Sequence, residues 1–365
     1  MRPLDENCCS LRLPLDSRRG KLCRYALATV LILSALTSIS LRARGQHPLA
    51  ESGVAIVLSP RLMAGHPATL AVLGLDGKLA PYVPVDLGNG DMVTTDRTGR
   101  AQFDVPATGD YLMAKSSGAS AAALVDPAVG GSEPSAATLP PIVSIHDRFW
   151  ICAASLRGDA DSNEVKINGQ PALVVASSPI CLVALPPPGA KPGPAVISIE
   201  APAVKLSVST VLVSLDFEPP DPALKPNEAG SLMVRAQGSE EKLRIVVQNE
   251  SPGVLKFERG DVQDLVTSGG PGNSATIRVR AITSGEFALT SQILPTIDSV
   301  SAPRYLRAAA TLAPHDWQQR ILKLANRIAH HPRDAEKVRS EIERIAPGPD
   351  QPDFRTLLDA ACAAL

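Results

Sequence analysis

Between Arg24 and Arg42 the chain runs for 17 residues, Tyr25 to Leu41, without a charge. No other stretch constrains the fold as much, because it decides on which side of a membrane everything after it must fold. A hydrocarbon core about 30 Å thick needs roughly 20 helical residues, with a lower limit near 17. Thr29, Ser34, Thr37, Ser38 and Ser40 make the run only moderately apolar. Arg12, Arg18, Arg19, Lys21 and Arg24 precede it, and basic residues stay on the cytoplasmic side. The expected topology therefore keeps the N-terminus in the cytoplasm and exports the remainder. Residues 1–45 would be a cytoplasmic n-region followed by one of two things. One is a signal peptide, cut at a small-x-small site such as Ser38-Ile39-Ser40 or near Ala43. The other is an uncleaved membrane anchor, to which the long n-region and the Arg42 and Arg44 flank point.

Composition bounds the rest. The net charge of −1 gives no pull towards nucleic acid. With 33 prolines, 26 glycines and many Val and Ala residues, the exported part reads as short strands joined by turns. Aromatics make up only 3%, which argues against a carbohydrate platform built on exposed rings. Cys152 and Cys181 lie in two strand-like runs of one expected domain. An exported chain permits a disulfide between them, and two buried small hydrophobes fit the same positions. Cys362, in Ala-Ala-Cys-Ala-Ala-Leu, is expected to be packed rather than reactive.

Residues 53–126 carry strand runs and turn signals, among them Asp76-Gly77. Val83 to Leu87 is expected at a sheet edge, because Pro84 has no amide proton. In Thr94-Thr95-Asp96-Arg97-Thr98-Gly99-Arg100-Ala101-Gln102-Phe103-Asp104-Val105-Pro106, Asp and Gly make a tight turn. Ala101, Phe103 and Val105 then share one face of the next strand. That stretch, with Gly109-Asp110-Tyr111, resembles the signature of bacterial Ig-like and carboxypeptidase-regulatory-like domains. Residues 127–140 form a low-complexity linker. In 141–203, Phe149 to Gly158, a polar loop at Asp159 to Asn163, Val165-Lys166-Ile167-Asn168-Gly169, and Gly193-Pro194-Ala195-Val196-Ile197-Ser198-Ile199 follow one another. This order is similar to an IPT/TIG domain, with Ala153 and Ala154 where that family has glycine. The resemblance implies an Ig-like sandwich that mediates contacts without a catalytic residue. Residues 205–297 read as another sandwich, of no recognised family. The fold class expected is mainly β: tandem Ig-like β-sandwiches, a small helical tail over 303–365, and one N-terminal hydrophobic helix. In the tail, Trp317, Ile321, Leu324 and Ile328 share a helical face. A second helix is expected over Asp334 to Ile345, and a third over Phe354 to Leu365. The tail's apolar face must dock on its neighbours, on the preceding sandwich or on a partner.

The motifs that suggest chemistry mostly fail on spacing. Asp159-Ala160-Asp161-Ser162-Asn163 starts like a calcium loop. Glu164 and Gln170 stand where the turn glycine and the last carboxylate belong, which leaves a solvated loop. Arg157-Gly158-Asp159 is a tripeptide found by chance. His47, His66, His146, His315, His330 and His331 show no metal-pair spacing. Asn249-Glu250-Ser251 is a formal glycosylation sequon. No catalytic, cofactor-binding or metal residue is assigned, and no cofactor is expected. The function expected is an exported, non-enzymatic envelope scaffold with a protein partner, touching the membrane only through residues 25–41. The alternative is a module that binds an extracellular polysaccharide or protein. An enzyme with a site assembled from scattered residues is a third reading, and it would require convergent polar groups in a deep pocket. Mass spectrometry of the mature chain separates the two fates of Tyr25 to Leu41: an anchor keeps the full mass, and a signal peptide costs about 40–45 residues.

Overall fold

Alternation along Arg100–Asp104 buries Ala101 and Phe103 and leaves Gln102 and Asp104 in solvent, the pattern of a strand with one face on a core. It belongs to the first of three sandwiches in a computed structural model. The model describes residues 55–365, apart from 75–76, 89, 118, 129–136, 203, 221–222, 250, 252, 259, 261, 286, 288, 295–300, 346 and 349. Tyr25 to Leu41 lies outside the described residues, as does the turn residue Asp76. Among the described residues no helix is long and apolar enough to cross a membrane.

The first sandwich holds β1 (Ala55–Val57), β2 (Arg61–Met63), β3 (Pro67–Leu73), β4 (Pro84–Asp86), β5 (Met92–Thr94), β6 (Arg100–Asp104), β7 (Tyr111–Ser116) and β8 (Ala119–Asp126). One sheet runs β1-β3-β6 and the other β2-β8-β7-β4-β5. Leu62, Leu70, Val72, Val85, Phe103 and Leu112 fill the space between them. The Asp96 turn forms as its sequence requires. The Asp96 carboxylate accepts from the Thr98 amide at 2.7 Å. Gly99 takes φ +75° with Leu79 against it, leaving no room for a Cβ. β4 is not an edge strand: it lies between β7 and β5. Pro84 is tolerated because β7 pairs with β4 only at Asp86, opposite Lys115, so the missing amide faces no ladder.

The second sandwich follows with β9 (Ile142–Ser144), β10 (Phe149–Cys152), β11 (Glu164–Ile167), β12 (Gln170–Ser177), β13 (Cys181–Leu185) and β14 (Gly193–Ala201). Phe149, Ile151, Val165, Leu182, Ile197 and Ile199 form its core. β15 (Val204–Glu218) is 15 residues long and serves two sandwiches. Its first part pairs with β14, from Val204 opposite Ala201 to Leu212 opposite Gly193. Its last five residues pair instead with β16 (Ala229–Gln237), from Ser214 opposite Gln237. The third sandwich is completed by β17 (Arg244–Asn249), β18 (Leu255–Phe257), β19 (Val262–Val266), β20 (Ser274–Ala281) and β21 (Leu289–Leu294). Its sheets are β15-β16-β20-β18 and β19-β17-β21, packed on Val213, Leu232, Ile245, Phe257 and Ile277.

Four helices end the chain: α1 (Ser301–Leu312), α2 (His315–His330), α3 (Ala335–Glu343) and α4 (Pro352–Ala364). The sequence reading has no counterpart for α1. Pro303 sits in its first turn, where the missing amide costs nothing. Towards the sandwich that precedes them the helices make an ion pair, Glu336 of α3 with Arg244 of β17 at 3.7 Å, but their apolar docking is on another sandwich. They share a core with Met113 of β7 and Leu124 of β8 in the first sandwich, together with Tyr305, Leu306, Ile321, Leu324 and Leu357. Each of the fully buried leucines and isoleucines contributes about 2 kcal/mol. Polar contacts fix the docking. Asp126, 5% exposed at the end of β8, accepts from Arg61 Nε at 2.8 Å and from Arg304 of α1. Lys115 Nζ lies 2.7 Å from Asp353 of α4, and Ser120 and Thr356 share a hydrogen bond of 2.6 Å. Asp126→Ala leaves two arginines facing each other without their counter-charge. A loss of about 3 kcal/mol is expected in urea unfolding, with hydrogen exchange in α1 and α4 rising first.

Candidate functional site

The first sandwich docks on the second through a polar seam beside an apolar one. Val57, Ala71 and Leu73 meet Val175, Ala176 and Val183. Next to them, Ser59 Oγ donates to the Cys181 carbonyl at 2.8 Å and Ser178 Oγ to the Arg61 carbonyl at 2.7 Å. Thr69 Oγ1 donates to the Gly158 carbonyl at 2.7 Å. Every polar group here has a partner, as burial requires. The polar loop keeps Asp161 and Ser162 in solvent, as expected, and turns Gly158 and Ala160 into this seam. Ala160–Ser162 forms a 3-10 turn. Asp159 accepts from the amide of Asp161 and from Gln102 of the first sandwich, and Arg100 reaches Asp161 at 2.7 Å. Gly158 lies so close to Pro67 that a Cβ would fall 1.9 Å from its carbonyl oxygen. The Arg-Gly-Asp tripeptide is thus a docking element.

Cys152 and Cys181 face each other across the β10–β13 ladder, Cα atoms 4.0 Å apart, and their sulfurs are bonded. The Cys152 amide and carbonyl both turn away, to Thr138. The pair is therefore a non-hydrogen-bonded one, the position where opposing residues of an antiparallel ladder come closest. Closing a loop across a sequence separation of 29 residues stabilises by about 3.5 kcal/mol on chain-entropy grounds. Thr138 lies near the end of the expected linker, 127–140, and forms a bridge with Cys152 of β10. Cys362 lies half-buried on α4. Burial pushes its thiol up to about 12, with Arg339 pulling the other way. Such a thiol is a poor nucleophile at neutral pH.

A cleft of about 640 Å³ opens where the parts meet. β1 and β8 line it from the first sandwich, Asp147 to Trp150 from the second, Val246 and Ser291 from the third, and α1 and α4 from the helices. Its floor is small and apolar, with Ala55, Val57, Ala122 and Ala360. Asp147 Oδ1 accepts from the Arg148 amide at 2.7 Å. Protein walls surround it on most sides, and this burial pushes its carboxyl above the ordinary range, against the pull of Arg148. Nothing in the sequence marks Asp147, because the walls that act on it come from three distant segments.

The other polar constellations are structural. His146 Nε2 lies 3.1 Å from Ser214 Oγ, which donates to Asp216 at 2.9 Å. The serine stands between acid and imidazole, whereas a nucleophile needs the imidazole between serine and acid. The chain of bonds ties β15 to the turn after β9. Among the described residues no group of three His, Cys, Asp or Glu side chains could hold a metal ion. Asn249 of the sequon is buried, its amide donating to the Leu255 carbonyl, so a glycan has no room there in the folded chain.

The Asp147 carboxyl, with a pKa raised on folding, favours the folded state less when ionised. Asp147→Asn is therefore expected to be more stable than the parent chain at neutral pH. The difference should shrink as pH falls through the raised pKa and vanish below the unfolded carboxylate range, near pKa ~3.9. Urea midpoints measured from pH 3 to 8 read this directly.

No family model matches the chain, and no curated protein matches it. Solved structures to which the chain is similar include the extracellular region of Plexin A4, 12% identical over 68% of this chain with a TM-score of 0.25. The chain spans 24% of that region. They include SGBP-B of a Bacteroides ovatus mixed-linkage glucan utilization locus, solved with a mixed-linkage heptasaccharide. It is 11% identical over 68% of this chain and 74% of that protein, with a TM-score of 0.23. The first four Ig domains of Dscam1 are 11% identical over 64% of this chain and 73% of theirs, with a TM-score of 0.19. At these scores they carry no argument about fold or function.

Proposed function

We propose that the chain is an exported, non-enzymatic scaffold of the cell envelope that binds a protein partner. One observation carries this reading: α1 and α4 return to the first sandwich and close on it through Asp126, Lys115 and Ser120. Together with the seam and the shared strand β15, this closure holds the three sandwiches at fixed mutual positions, which is what a presenting surface needs. In this reading 53–126 and 141–203 are Ig-like units, the second of IPT/TIG type, 205–297 is a sandwich of no recognised family, and 303–365 is a cap that joins the last to the first. Tyr25 to Leu41 acts as the anchor or the signal for export, and the Cys152–Cys181 bridge suits an oxidising compartment. Support for the non-enzymatic part comes from the seam and from the His146–Ser214–Asp216 arrangement, whose polar groups are consumed in docking.

A second reading, a module for a small extracellular ligand, is favoured by the central cleft. Affinity capture from an envelope fraction, with residues 53–365 as bait, separates the two. A scaffold is expected to retain a protein partner that the Asp126→Ala chain, loosened at its closure, retains less well. Recovery of the same proteins by bait and by an unrelated β-sandwich would refute the scaffold.

A further inference from the structure

We propose that the central cleft is a binding site for an organic cation on an apolar stem, with the Asp147 carboxylate as its anchor and the Trp150 indole as its side wall. The proposal stands apart from the scaffold reading, which needs no ligand. Its basis is a contrast in how this fold treats acidic side chains that are walled in by protein. Asp126, its side chain 7% exposed, takes two arginines. Asp147 takes only the backbone amide of Arg148 on Oδ1. Among the described residues no lysine, arginine or histidine lies within ion-pair distance of it. A carboxylate that burial has made costly, and that no ion pair neutralises, gains from a cation supplied from outside.

The walls say what that cation should carry. Ala55, Ala122, Ala360 and Ala364 present methyl groups and leave space that larger side chains would fill. Val57 and Val183 extend the apolar surface. A compact, fully hydrated ion gains nothing from such walls, whereas an alkyl stem of several carbons buries its surface on them. Trp150 is half-buried and lines the same cleft, and an indole face attracts a cation within about 6 Å. The hydroxyl of Tyr305 is already spent on the carbonyls of Pro60 and Ala122, so it does not compete for the ligand. Arg148, the cleft's other charge, is exposed to water. An anion held by it would sit in solvent and leave Asp147 uncompensated. The geometry therefore favours the ammonium over the carboxylate.

Three probes with one stem test this: hexylammonium, hexanoate and hexanol. The sequence has two tryptophans. In a full-length Trp317→Phe chain, Trp150 is the sole indole and its fluorescence reports the cleft. Hexylammonium is expected to change that fluorescence saturably, while hexanol and hexanoate do not at the same concentrations. Asp147→Asn should weaken the ammonium by about tenfold or more, as loss of a charge-assisted contact does. Calorimetric titration of the unmodified chain gives the same reading should Trp317→Phe not fold. Equal binding of all three probes would reduce the site to an apolar crevice and overturn the proposal. Tighter binding of hexanoate would place the anchor at Arg148, and unchanged binding by a folded Asp147→Asn chain would remove Asp147 from it.

Discussion

Asp126 ends the last strand of the first sandwich, and it takes one arginine from the start of its own sandwich and another from a helix 178 residues away. Removed from water, a lone carboxylate there would cost several kcal/mol, and so would either arginine. The three groups are tolerable only together. Each has thus to wait for the others, and the first sandwich and α1 become a single unit although they lie far apart in sequence. The apolar core around Leu306 and Leu357 supplies most of the free energy of docking. It does not specify the angle at which α1 crosses the sheet. Bonds from Arg304 to both Asp126 and the Val125 carbonyl do.

Between the sandwiches the logic is the same with smaller groups. Serine and threonine hydroxyls at Ser59, Thr69 and Ser178 reach carbonyls across the seam, and a buried hydroxyl without a partner would be expensive. The seam therefore admits one register. β15 removes the remaining freedom by another route. A strand that leaves one ladder and enters the next without a break, between Val213 and Ser214, offers no hinge. The prolines and glycines that might have made flexible linkers serve elsewhere, in turns and at close approaches such as Gly158 on Pro67.

Local chemistry was legible in the residues; long-range pairing was not. Alternation placed Ala101 and Phe103 inward, and the spacing of Ile321, Leu324 and Ile328 gave α2 its buried face. These are signals written within one turn or one strand. α1 escaped because Pro303 and the run of small residues Ala308 to Ala310 weaken the 3.6-residue pattern, although those same alanines let the helix lie close to its neighbours. Pro84 misled because a proline's missing amide excludes only one side of a ladder, and only at that residue. That one side of the exposed loop at Asp159 docks was not legible, because its partners, Arg100 and Gln102, lie about 60 residues earlier and no periodicity links them. The cleft around Asp147 is the extreme case: its lining comes from β1, β8, β10, β17, β21, α1 and α4, and no window of sequence contains it.

The closure of the helices on β7 and β8 has a consequence for how the chain is made. A ribosome releases the first sandwich well before α1 and α4 exist, at a pace of about 5–20 residues per second. For that interval Met113 and Leu124 have no cover, and Asp126 has only Arg61. The nascent chain thus carries an apolar patch until its last 65 residues emerge, and a helper protein that shields β-rich intermediates would find its substrate there rather than in the finished molecule.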